Sequence, residues 1–397
     1  MRVGRVGAGV EQHRSPASVP SRRRPGAVWV AVAVVALLIA AACGDDDDDA
    51  TATTTTAAGA ATTTAGAGAT TTTELEPVDP LKVTIGGTVE QYAATWIALG
   101  DDIFQKHGVE VEVTNFDGVA AGLAQLAADQ IDLFFFTPAL GLNLANNGVE
   151  ISYIYRFSDL DFRYGAFATI PSIHSFDELK AMGSGCRLAA PSVGTSLYAL
   201  ALAFQKAYGL TCEIVPQASG NLQIPSLASG EVQAAVAIPT MAYTAEQSGV
   251  VNILHDPRTV SEADGEKVFA DRYPHMIVFG KKAVLEEKRE AVVRFVSALQ
   301  EASGVLASST PEQLTQIALK VETFATTDPV LSAETWKIVK TQVPTGPDPG
   351  RISEDEWNKT LQGLVTWGVE GLDPADPDIS YDAVVDMSYF DEAAERG

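Results

Sequence analysis

Leu126-Ala127-Ala128-Asp129-Gln130-Ile131-Asp132-Leu133 and Leu227-Ala228-Ser229-Gly230-Glu231-Val232-Gln233-Ala234 lie about one hundred residues apart and follow one plan. Each finishes a helix of small residues, passes a polar turn and enters an apolar run that closes at a proline, Pro138 and Pro239 respectively. Upstream of the two, Phe104-Gln105-Lys106-His107-Gly108-Val109 has its counterpart in Phe204-Gln205-Lys206-Ala207-Tyr208-Gly209-Leu210. Two matches in the same order, each inside a similar hydrophobic pattern, imply two copies of one supersecondary unit; two copies do not make a solenoid.

Working outward from the first copy, Leu81 to Ile85 reads as a strand, and Tyr92, Trp96, Leu99, Ile103 and Phe104 fall at helical spacing before Gly108, which suits a helix C-cap. Val109 to Val113 alternates as a strand, Val119 to Ala128 is a short helix, and Ile131 to Phe136 is an unbroken apolar run of the kind buried in a parallel sheet. The second copy repeats this with strands at Arg187 to Ala190, Cys212 to Val215 and Val232 to Ile238, and helices at Ser196 to Tyr208 and near Ile224 to Ala228. The expectation is two βαβαβ lobes. Met276 to Phe279 adds another apolar strand, Ala283 to Leu306 a helical stripe, and Ser353-Glu354-Asp355-Glu356 a capping box ahead of Trp357, Leu361, Leu364 and Val365.

In open α/β sheets, ligands bind beyond the carboxyl ends of the strands. Those ends carry Gly86-Gly87-Thr88-Val89-Glu90-Gln91-Tyr92 and Thr137-Pro138 in the first lobe, and Pro191-Ser192-Val193-Gly194-Thr195-Ser196 and Pro239-Thr240 in the second. Two such lobes face to face would make a cleft.

The N-terminus says where this body works. Arg22-Arg23-Arg24 precedes an apolar run from Ala27 to Ala42, shorter than the roughly 20 residues that span a bilayer, and the run stops at Cys43. Leu37-Leu38-Ile39-Ala40-Ala41-Ala42-Cys43 resembles the bacterial lipobox, although Ala40 stands where Leu is usual. The resemblance implies a signal peptide over 1–42, lipidation of Cys43 and an extracytoplasmic body held to the cell membrane by that lipid. Residues 43–78, acidic and then almost wholly Ala, Thr and Gly up to Thr73, offer nothing large to bury and read as a disordered stalk. A flexible chain of that length reaches roughly 30 Å. The formal charge of −24 leaves no basic stripe for phosphates, so nucleic acid is not an expected partner.

The order and spacing of these segments resemble the substrate-binding proteins of ABC importers, in the family that takes up sulfonates, taurine, nitrate and thiamine-precursor pyrimidines. The residues that carry the resemblance are the opening strand with its Gly-Thr turn, Ile103 to Val111, Leu126 to Pro138, Ser175 to Lys180, Gly194-Thr195-Ser196 and Leu227 to Val232. Gln233 departs from it, since Asp is usual there. The implied fold is α/β, the two-lobed periplasmic binding protein type II-like arrangement, each lobe a mostly parallel sheet flanked by helices. Lobe one would take 79–163 and 273–397, with C-terminal helices packed on it, and lobe two 164–272. The implied role is solute binding between the lobes, with an ABC permease as partner, a monomeric state, no cofactor and no catalytic or metal site.

Within that frame, the hydroxyls and helix-start N–H groups of Thr195 and Ser196 could hold an anion, although most residues so placed are ordinary N-caps. Thr88, Gln91, Thr137 and Pro138 occupy the matching positions of lobe one, and Asn221 and Thr240 are further candidates. Tyr92 and Tyr243 could supply flat walls, though aromatics at helical spacing are more often core, as is expected of Trp96. Arg156 and Arg163 could pair with an anion or be solvated. Cys186 and Cys212 start the strands flanking one helix, so a disulfide is expected, with two buried thiols as the alternative. Two other functions share the fold: an enzyme of the pyrimidine-precursor or dehydratase type, and a binding lobe that feeds a sensor. His107, His174, His255 and His275 form no close metal-ligand motif, and there is no Gly-x-Ser-x-Gly elbow or phosphate loop.

Overall fold

Continuous apolar runs become strands buried on both faces, which is how a sheet covered by helices on either side is written in sequence. The computed structural model describes residues 75–86, 90–116, 118–270, 272–344, 347–367, 369 and 371–396; the signal peptide, Cys43, the stalk up to residue 74 and Thr88 lie outside the described residues. The strands are β1 Leu81–Ile85, β2 Val111–Asn115, β3 Leu133–Phe136, β4 Ile151–Leu160, β5 Ala166–Thr169, β6 Arg187–Pro191, β7 Glu213–Gln217, β8 Ala234–Ala237, β9 Asn252–His255 and β10 Tyr273–Lys281.

They form two five-stranded sheets, ordered β2-β1-β3-β10-β4 and β7-β6-β8-β5-β9. In the first, β10 runs antiparallel to both β3 and β4; in the second, β5 runs antiparallel to both β8 and β9. The other four strands of each sheet therefore share one direction, and in each sheet the reversed strand is the first laid down after the chain has crossed over. The two crossings lie side by side, since Leu160 at the end of β4 is paired with Tyr273 at the start of β10.

The first sheet is filled with rings. Phe135 packs against Tyr92, Phe157 and Phe295, and Phe134 against Phe116 and Phe279. The strands of the second are rich in small residues, Ala166, Ala168, Ala189, Ala190, Ala234, Ala235 and Ala237, all fully buried, with one ring cluster where Phe167 of β5 meets Phe176 and Phe204. Cys186 and Cys212, just ahead of its β6 and β7, are joined by a disulfide. The helix Arg289–Ser308 packs on Ala93–Gly100, and Pro329–Gln342 packs on β4 and reaches across to Pro239–Gln247 beside the second sheet. Ser353 and Glu356 form the capping box expected of them.

Local boundaries differ from the sequence reading for identifiable reasons. The long first helix is broken into Ala93–Gly100 and Ile103–Lys106, because Asp102 adopts a left-handed φ of 55°. A Cβ on Gly100 would stand 2.4 Å from the Ile317 carbonyl oxygen, so the break coincides with a close helix crossing. The stripe from Ala283 to Leu306 divides at Lys288 into Lys282–Glu287 and Arg289–Ser308. β2 and β7 begin two residues and one residue later than read.

Candidate ligand cleft between the two sheets

The carboxyl ends of six parallel strands, three from each sheet, converge on one cavity. Gly86 follows β1, Asn115 ends β2 and Phe136 ends β3; opposite them Pro191 ends β6, Ala218 follows β7 and Ile238 follows β8. The cavity has a volume of about 420 Å³, and Phe116, Ser192, Thr195, Ser219 and Asn221 complete much of its wall. A smaller inner chamber of about 60 Å³ shares Gly86, Phe136, Pro191, Thr195, Gly220 and Ile238 with it, and adds Gln91, Tyr164, Ser196 and Met276. A larger hollow of about 600 Å³, around Pro77, Leu99, Phe104 and Val111, belongs to the first sheet's side alone, so no approach of the two sheets would enclose it.

The floor of the cleft is aromatic. A Cβ on Gly86 would meet the Phe136 ring at 1.8 Å, so glycine is what lets that ring lie across the end of β1. Phe116 meets the same ring edge-on at 5.6 Å. This is the usual composition of a small-molecule site, a mostly apolar surface with a few placed polar groups.

The polar groups come from helix starts. Thr195 caps the helix Ser196–Tyr208: its hydroxyl donates to Ser192 O at 2.8 Å and accepts from the Tyr198 N–H at 3.4 Å. Thr137, fully buried ahead of Pro138, donates to Gly194 O at 3.2 Å and so ties the first sheet to the second. A second tie is the hydrogen bond between the Ser196 hydroxyl and His275 Nε2 on β10. His275 has no partner at Nδ1, and burial alone pushes its pKa down to about 3. Tyr164, from the other crossing, packs edge-on against the His275 ring at 5.1 Å. Gln91 is 3% exposed and makes no hydrogen bond among the described residues, its Oε1 included.

Of the residues singled out in the sequence, Gln91, Thr195, Ser196 and Asn221 line the cleft, and Thr137 and Pro138 stand directly behind Phe136 at a helix start. Thr240 is partly exposed and lines neither chamber. Tyr92 lies in the core of the first lobe, donating to Phe135 O at 2.9 Å and packed on Phe135 and Phe157. Tyr243 is buried beneath the Arg258 guanidinium, 3.9 Å from the ring centre, with Leu331 and Ile338 packed beside it. Trp96 is core, edge-on to Phe324. Arg156 is paired with Asp159 and Glu356, and Arg163 with Asp161 and Glu262.

The sequence reading missed Phe136 and Ile238, because each ends an apolar stretch that looks like core, and Phe116, which follows the polar pair Thr114-Asn115. The signal available was position, since the last residue of a parallel strand emerges where the cleft is. His275 was also missed as Ser196's partner; the two are 79 residues apart in the chain.

Among the described residues, no group of three or more His, Cys, Asp or Glu side chains could hold a metal ion, and no helix is long and apolar enough to cross a membrane. No protein-family model and no curated protein matches the sequence. Solved structures do match. The alkanesulfonate-binding protein SsuA of Xanthomonas axonopodis pv. citri, bound to MOPS, superposes with a TM-score of 0.59 at 14% identity, over 78% of this chain and 99% of its own. The periplasmic nitrate-binding protein NrtA of Synechocystis PCC 6803 gives 0.58 at 14% identity, over 80% and 89%. A Candida albicans protein described as showing the generic periplasmic binding protein structural fold gives 0.57 at 13% identity, over 78% and 97%. Two sheets of matching strand order, the paired crossings and these superpositions together give the chain the periplasmic binding protein fold.

Proposed function

We propose that this chain is the solute-binding component of an ABC-type importer, exported, anchored through lipid on Cys43 and carried on its Ala/Thr/Gly stalk as a monomer. The observation that carries the reading is the cleft whose walls are the ends of three strands from each sheet. A solute there touches both lobes, so it favours the closed arrangement by the difference in its affinity for closed and open forms. The described neighbours include an alkanesulfonate-binding and a nitrate-binding protein, and the permease is the partner this role requires. Gln91, Thr137, Pro138, Thr195, Ser196 and Asn221 are the residues we assign to the site, with Thr88 beside them in sequence.

Binding is favoured over catalysis by the state of the one Ser–His contact in the cleft. The imidazole of His275 lacks an acidic partner at Nδ1, and burial suppresses its basicity, so it is a poor base for the Ser196 hydroxyl. Small-angle scattering and thermal melting across a library of small solutes test the proposal. Compaction together with a raised melting temperature is expected from at least one solute class; turnover of a bound compound would instead favour an enzyme.

A further inference from the structure

Two of the hydroxyls that line the cleft have committed their hydrogens, Ser192 to Gln217 O at 3.2 Å and Thr195 to Ser192 O, as has Thr137 behind the wall, to Gly194 O. The Ser192 and Thr195 oxygens keep only acceptor capacity for anything else, whereas Ser219, which accepts from the Asn221 N–H, still has a hydrogen to give. At the helix start, one N–H that an anion might use is already engaged, Tyr198 N with Thr195 Oγ1. Beside them sits Gln91, whose buried Oε1 is an acceptor without a donor. Leaving such an atom unpaired costs about 1–3 kcal/mol, which a ligand donor reaching it would offset.

Charge points the same way. Each of the nine arginines from Arg156 onward stands within 4.0 Å of a carboxylate, and neither lysine nor arginine lines either chamber. Gly87, Thr88, Val89 and Asp117, next in sequence to residues of the cleft, include no cation. A buried anion without a paired charge is expensive.

On the solute-binding reading, we infer that the ligand is not an anion: it is a hydrogen-bond-donating solute of the amide or amidine type, whose apolar body lies on Phe136 and Phe116 and whose N–H groups meet Gln91 Oε1 and the Thr195 hydroxyl oxygen. Among the solutes that the sequence resemblance implies, this argues against sulfonate and nitrate and leaves the pyrimidine-like class.

The test compares probes of one shape and different charge. Benzamide, benzamidine, benzoate and benzenesulfonate are titrated by calorimetry into the full chain in mild detergent, and into Gln91→Leu. The better of the first two is expected to bind at least tenfold more tightly than either anion, and Gln91→Leu to remove most of that preference. Without probe, Gln91→Leu is expected to melt no lower than the native chain, since it deletes an unpaired buried amide, so loss of binding is not loss of fold. Tighter binding of an anion overturns this inference and leaves solute binding standing. A preference that survives Gln91→Leu overturns the role of Gln91. Absence of binding by all four, with no small molecule released on denaturing the purified chain, overturns the solute-binding reading and this inference with it.

Discussion

The central strands of the two sheets hold equivalent places and opposite contents: Leu133-Phe134-Phe135-Phe136 in β3 against Ala234-Ala235-Val236-Ala237 in β8. One topology is thus stabilised in two ways. The first lobe buries large rings that interlock, each ring contributing a large apolar area and edge-to-face contacts. The second buries mostly methyl groups along its strands, which contribute less area per residue but let helices approach the sheet closely; it confines its rings to one cluster about Phe167 and Phe204, and it carries the disulfide. A shared strand order therefore does not imply a shared source of stability.

The difference can be broken from either side. The largest effect is expected from Phe135→Ala, which empties the space among Tyr92, Phe157 and Phe295; burial of this kind predicts a loss of about 3–5 kcal/mol, read by urea unfolding. Hydrogen exchange should rise first in β1, β3 and β10. Equal acceleration in β6 and β8 would show that the lobes share one core energetically. Cys186→Ser with Cys212→Ser is the counterpart in the second lobe. The bridged residues are 26 apart, and the loop-entropy argument predicts a loss of about 3 kcal/mol. Exchange in β6, β7 and β8 should rise while β1 and β3 stay protected.

Next in size is a pH effect at the junction of the lobes. In the unfolded chain a histidine takes up its proton near pH 6.5, whereas folded His275 resists it down to about 3. Its folded pKa is depressed, so the stability it contributes is complete above about pH 6.5 and falls as pH drops through that window, by about 1.4 kcal/mol per pH unit for one proton. Asp161, whose carboxyl burial holds above the ordinary range, adds a pH dependence of its own. The measurement is therefore the difference between native chain and His275→Gln at pH 7.5, 5.5 and 4.5; parallel curves would contradict it. The smallest effect belongs to Thr137→Val, which keeps shape and deletes the bond to Gly194 O at a cost of about 1 kcal/mol. Scattering should show a slightly larger average dimension before solute is added, and no change would mean that the Ser196–His275 contact holds the lobes alone.

Much of this architecture was legible because duplication is a strong signal. The helix Ser196–Tyr208 and the strand Leu81–Ile85 stand as read, since their apolar periodicities are uninterrupted and their caps are local. What the sequence did not show depends on distant partners. Nothing near Asp102 announces the helix break, which accompanies the approach of Ile317 to Gly100. The cleft was half visible: hydroxyl and amide residues after strands attract notice, but Phe136 and Ile238 carry no mark that separates them from the core residues beside them. The direction in which a hydroxyl donates cannot be read from composition at all.

The strand order also sets a timetable for a chain made from its N-terminus. β5 to β9 follow one another without interruption, so the second sheet can finish as soon as His255 has been synthesised. β4 pairs within its sheet only with β10, so its ten residues wait for Tyr273–Lys281 while β3 presents an open edge. Until then the nascent polypeptide displays its most aromatic, most adhesive surface, which is where a holding chaperone has most to shield and where a stalled or truncated product will self-associate.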